Sequence, residues 1–134
     1  MNKEKYNFFL NPYSDAAFTK CPKCEGKTKV KKVPLTIVME KNKAILNVNK
    51  TCKYCPYCEL LIAKKNEMEH IVKQFLGVSS INEKDYLIIG TLDNTLYRKI
   101  INNNIAGDEA FSGMAIFKGV WDFTLQLAGW YPQK

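Results

Sequence analysis

Apolar positions recur along the chain with two different spacings, and each change of spacing marks a new element. From Thr28 to Glu40 β-branched residues dominate. A polar turn at Lys41-Asn42-Lys43 follows, then a second extended run from Ala44 to Tyr54, and together these predict a β-hairpin. Lys27, Lys29 and Lys31 alternate with Thr28 and Val30, so three ammonium groups share one strand face. Pro34 cannot donate to a ladder, which places this strand at an edge or bends it there. Glu59 to Lys65 continues extended. At Asn66 the period becomes helical, with Met68, Ile71, Val72, Phe75 and Leu76 on one face and Gly77 as the stop. Asn66 with Glu69 three residues on predicts a capping box.

Residues 78–84 read as a polar loop, and Tyr86 to Leu92 as a nearly continuous apolar strand covered on both faces. Asp93 or Asn94 caps a predicted second helix with an inner stripe of Leu96, Tyr97, Ile100 and Ile101, and 106–109 form a loop. A long final strand is predicted from about Met114 to Leu127, with Trp121, Phe123, Leu125 and Leu127 on one face and Asp122, Thr124 and Gln126 on the solvated one. At the other end, Tyr6, Phe8, Phe9, Tyr13 and Phe18 predict an arm that packs its rings on the core. It includes a turn at Asn11–Asp15 and a short helical piece capped by Ser14 or Asp15. The expected class is α+β: an arm and hairpin over 1–65, then a small α-β-α-β unit over 66–134, packed as one compact body.

Composition narrows the classes. With 46% apolar and 25% charged residues in 134, the chain is an ordinary globular protein. Its longest apolar runs, such as Leu60-Leu61-Ile62-Ala63, are far too short to span a bilayer, and the first residues lack the apolar stretch of a secretory signal. A cytoplasmic protein without membrane contact is expected. The net charge of +7 is uneven: residues 1–65 carry 14 Lys against 5 acidic residues, whereas 66–134 carry 6 basic against 8 acidic ones. That asymmetry makes a polyanionic partner worth testing, with Lys27, Lys29, Lys31, Lys32, Lys41, Lys43, Lys50 and Lys53 as candidate nucleic-acid contacts. Against it, 19 of the 20 basic residues are Lys, which lacks the forked geometry that reads phosphates and guanine edges.

Five cysteines carry the strongest chemical signal. Cys21-Pro22-Lys23-Cys24 and Cys55-Pro56-Tyr57-Cys58 each set two thiols on one side of a tight turn, and the hairpin between them can bring the turns together. Proline after the first cysteine fixes φ and omits an N–H, which presets each turn. Four thiolates so spaced suit a tetrahedral zinc, and in a reducing compartment metal explains paired cysteines better than disulfides do. The candidate ligands are Cys21, Cys24, Cys55 and Cys58. Cys52 becomes a spare, half-buried thiol; the competing pair, Cys52 with Cys55, lacks the presetting proline.

Residues 21–58 resemble the zinc-ribbon family, in which two Cys-Pro-x-Cys knuckles flank a β-hairpin. The resemblance implies a structural zinc rather than any activity. It departs at one point: Glu25 and Glu59 follow the second cysteine of each knuckle, where glycine is usual, and Gly26 comes one residue late. Rubredoxins are similar and hold iron, but the polar, basic hairpin favours zinc. Cys55-Pro56-Tyr57-Cys58 also matches the redox motif of glutaredoxins. Thiol exchange, however, requires a low-pKa cysteine at a helix N-terminus, and Glu59-Leu60-Leu61-Ile62 reads as extended. The single histidine, His70, falls off the apolar helical face, and no nucleophile–base arrangement forms around it. The expected function is a non-catalytic zinc-binding interaction protein with a protein partner. Nucleic-acid binding through the basic hairpin and an enzyme with its site in 66–134 are the alternatives.

Overall fold

The computed structural model describes residues 3–40, 44–92, 97–98, 114–126 and 129–132. It is a mixed α+β structure, mostly strands, with one long helix among the described residues. The strands are β1 (Lys3–Glu4), β2 (Asn7–Asn11), β3 (Lys29–Met39), β4 (Ile45–Cys55), β5 (Leu60–Lys64), β6 (Tyr86–Leu92), β7 (Met114–Ile116), β8 (Gly119–Val120), β9 (Phe123–Gln126) and β10 (Gly129–Pro132). The helix α1 spans Lys65–Leu76. Contacts divide the chain into two units that do not follow chain order: residues 1–5, 32–50 and 82–117 form one, and 6–31, 51–81 and 118–134 form the other. β3 and β4 each contribute to both.

In the first unit the strand order is β1-β7-β6-β3-β4. β3 lies between β6 and β4 and not at an edge. Pro34 sits just ahead of the stretch Leu35–Met39 that pairs with β6, and the register shifts between Thr36 and Ile37. β6 alternates at its start, with Tyr86 and Ile88 buried and Leu87 exposed, so this part of the strand is not covered on both faces as its sequence predicts. At Gly90 β6 and β7 leave no room for a side chain: a Cβ there would run into the Ala115 carbonyl.

The second unit has the order β4-β5-β2-β8. Tyr6, Phe8, Phe9 and Phe18 are buried in the core as expected, but Asn7–Asn11 form the strand β2, parallel to β5 on one side and to β8 on the other, and the helical piece through Phe18 is absent. Phe8 and Phe9 are buried, and every residue of β5 but the last is buried, as befits strands flanked on both sides. Asn11 closes β2: its side-chain oxygen accepts from the Tyr13 N–H at 2.8 Å and its amide donates to the Ala16 carbonyl at 3.1 Å. The Ala16 N–H, which a helix capped by Ser14 would use in its first turn, donates instead to the Tyr13 carbonyl at 3.1 Å.

Helix α1 begins one residue earlier than predicted, with Lys64 as N-cap and no side-chain cap bond, so the capping box from Asn66 to Glu69 does not form. The strand β5 runs straight into the helix, which leaves no loop residue free to cap it. Met68 and Val72 are buried while Phe75 is half exposed. The C-terminus is as expected. Gly77 adopts φ 69°, its N–H and that of Val78 donate to the Lys73 carbonyl, and the helix stops there. The predicted final strand is instead broken into β7, β8 and β9, each pairing with a different neighbour. Tyr97 and Arg98 are helical, and the rest of the predicted second helix, like the loop at 106–109, lies outside the described residues.

Candidate metal centre

The two Cys-Pro-x-Cys segments are built differently but arrive at the same place in the second unit. Cys21–Cys24 lies in a loop closed by its own backbone: the Glu25 N–H donates to the Cys21 carbonyl, the Cys21 N–H to Gly26, and Lys20 bridges Lys27. The Thr28 hydroxyl donates to the Phe18 carbonyl at 2.7 Å and fastens the neck of this loop. Cys55–Cys58 is the turn between β4 and β5, with Cys55 paired to Leu60. Beneath both knuckles is an aromatic floor of Phe9, Phe18 and Phe123. The Phe9 ring meets the other two edge-on at 5.4 and 5.0 Å.

The ligand atoms of Cys21, Cys24, Cys55 and Cys58 all lie within 4.8 Å of one another. Cys24 Sγ is 3.5 Å from Cys55 Sγ, and Cys21 Sγ is 3.9 Å from Cys58 Sγ. A tetrahedron with metal–sulfur bonds of about 2.3 Å has edges of about 3.8 Å, so these separations suit one metal ion bound to all four sulfurs. Three backbone N–H groups point at sulfur, each at 3.4 Å: Lys23 at Cys21, Gly26 at Cys24 and Cys58 at Cys55. Such donors favour the thiolate form that a metal requires.

The thiols are not equivalent without a metal. Burial pushes Cys21 up, with the N–H groups of Cys24 and Lys23 partly opposing. Burial and then the neighbouring Cys24 sulfur hold Cys58 far above the usual thiol range. The Gly26 N–H draws Cys24 down. A divalent cation among them reverses this order of priorities, because its charge outweighs desolvation and coordinating thiols lose their protons.

Glu25 and Glu59 have φ of 61° and 52°, the left-handed region that glycine fills without cost. Both residues thus make, with a side chain, a turn that glycine makes without strain. Glu59 is held there by Lys118, whose ammonium lies 3.1 Å from the carboxylate, and by Asn7, whose N–H donates to the Glu59 carbonyl. The Asn7 side chain reaches the Cys58 carbonyl at 3.0 Å. Sequence reasoning did not anticipate these contacts, because Asn7 and Lys118 are distant in the chain.

Cys52 is buried, at 3% exposure, and stands apart from the four-sulfur group. It lines a cavity of about 170 Å³ together with Phe18, Val30 and Ile62. Of the candidate nucleic-acid contacts, Lys27, Lys29 and Lys32 are exposed, Lys31, Lys50 and Lys53 are half-buried, and Lys41 and Lys43 lie outside the described residues. Lys31 lies over the Tyr54 ring at 5.0 Å and the Tyr6 ring at 5.8 Å. His70 is exposed on α1. Cys55–Cys58 is followed by the strand β5 and not by a helix. No helix among the described residues is long and apolar enough to cross a membrane. The chain matches no family model, no curated protein and no solved structure.

Proposed function

We propose that Cys21, Cys24, Cys55 and Cys58 bind one structural zinc ion, and that the protein is a non-catalytic, zinc-ribbon-like interaction module of the cytoplasm. The observation that carries this reading is the convergence of four sulfurs, with separations of 3.5 and 3.9 Å where they face each other, from two turns about thirty residues apart. Four thiolates close the coordination shell, so the ion acts as a staple and has no position for a reacting water. Such a site contributes about 10–16 kcal/mol of binding free energy at neutral pH. Tyr57, 80% exposed within the second knuckle, gives this region an aromatic handle for a protein partner.

Metal analysis of the purified protein tests the zinc reading. One zinc per chain is expected. Iron would announce itself by the colour of its thiolate charge-transfer bands, and a metal-free protein with intact near-ultraviolet circular dichroism would refute the staple. Exposed Lys27, Lys29 and Lys32 favour a second reading, nucleic-acid binding. Phosphate contacts make affinity fall steeply with salt, so binding to random RNA and DNA at two salt concentrations decides it. If that reading holds, reversing charge at Lys29 and Lys31 together weakens binding.

A further inference from the structure

The four sulfurs differ in how solvent reaches them. Cys21 and Cys55 are buried and Cys58 is half-buried, whereas Cys24 is exposed. Gly26 keeps the approach to Cys24 clear, because a Cβ at that position would lie 3.2 Å from Cys24 Sγ. Cys24 Sγ is also closer to Cys55 Sγ, at 3.5 Å, than Cys21 Sγ is to Cys58 Sγ, at 3.9 Å.

We propose that Cys24 is the point at which hydrogen peroxide enters the four-cysteine group, and that oxidation there ends in a Cys24–Cys55 disulfide that expels the metal. This rests on the zinc reading above. The Cys24 thiolate attacks one peroxide oxygen, the O–O bond breaks, and hydroxide leaves, so Cys24 keeps the other O–H as a sulfenic acid. The Cys55 thiolate then attacks the Cys24 sulfur and displaces a second hydroxide. Two thiolates have given up two electrons to one peroxide, and two protons from solvent convert the hydroxides to water. Zinc retains only Cys21 and Cys58 and departs, and those two sulfurs take up protons. The product ties the two knuckles together in the metal's place, which distinguishes it from a disulfide formed inside either one.

The test treats the zinc-loaded full chain with less than one equivalent of hydrogen peroxide. It follows zinc with a chromogenic chelator, blocks free thiols with N-ethylmaleimide, and maps disulfides by mass spectrometry without reduction. One zinc released per disulfide is expected, with Cys24–Cys55 as the dominant bridge. Gly26→Ala, which keeps the backbone N–H but narrows the approach, is expected to slow release several-fold, and Cys52→Ala to leave both the rate and the bridge unchanged. A dominant bridge within one knuckle, a bridge through Cys52, zinc loss without a disulfide, or an unchanged rate in Gly26→Ala would each overturn the inference. A chain that purifies without zinc overturns the zinc reading itself, before any peroxide is added.

Discussion

The two knuckles share a motif, a left-handed glutamate and a ring of sulfurs, yet they are anchored in opposite ways. The first is fastened by bonds among its own residues, from Phe18 to Thr28, and sits as a closed loop over Phe9. The second is a turn of the sheet itself: its strands β4 and β5 pair, and Asn7 and Lys118 bind it from two further segments. One motif thus works as a self-contained clip and the other as part of the framework. The lesson is that a metal joining them would organise the clip more than the framework.

The largest expected effect follows from removing the metal. Chelation should erase amide protection in residues 19–28 while much of the protection of β5 remains, as read by hydrogen exchange. Equal loss in both knuckles would break the comparison. Next in size is Phe9→Ala, which empties the floor shared by Phe18 and Phe123 and should cost about 3–5 kcal/mol in denaturant unfolding of the zinc-bound chain. Asn7→Ala removes the amide that holds the Cys58 carbonyl and should cost about 1 kcal/mol, with faster exchange in the second knuckle and not the first.

The smallest effects concern the glutamates. Left-handed backbone costs a residue with a Cβ about 1–2 kcal/mol. A glycine gives back part of that gain, about 0.5–1 kcal/mol, through its freer unfolded chain. Glu25→Gly is therefore expected to stabilise by about 0.5–1 kcal/mol. Glu59→Gly should gain less, since it also loses the half-exposed pair with Lys118, worth about 0.2–1 kcal/mol. If Lys118→Ala makes the two glycine substitutions equal in thermal shift, the difference between the knuckles is that ion pair.

Much of the site could be read from the chain. The cysteine spacing and its prolines are local features, and so are the β-branched runs of β3 and β4, the helical stripe of α1 and the glycine that stops it. What escaped was non-local. Nothing in residues 7–11 announces that they will lie between β5 and β8, because a parallel pair is chosen by partners far along the chain. The same holds for residues 114–126, where a single alternating pattern is divided among three neighbours. At α1, periodicity found the helix while the cap went wrong by two residues, Lys64 in place of Asn66, since the preceding strand runs up to Lys64. The glutamates carry a subtler message: their position marks the turn, and only their identity departs from the pattern.

The placement of β2 has a bearing on how the protein is made. This strand leaves the ribosome before either neighbour exists, since one comes some fifty residues later and the other more than a hundred. Pairings so remote in sequence close slowly. During synthesis the phenylalanines at 8 and 9 therefore wait, unsheltered, for segments not yet translated, which makes this nascent stretch the natural place for a chaperone to hold.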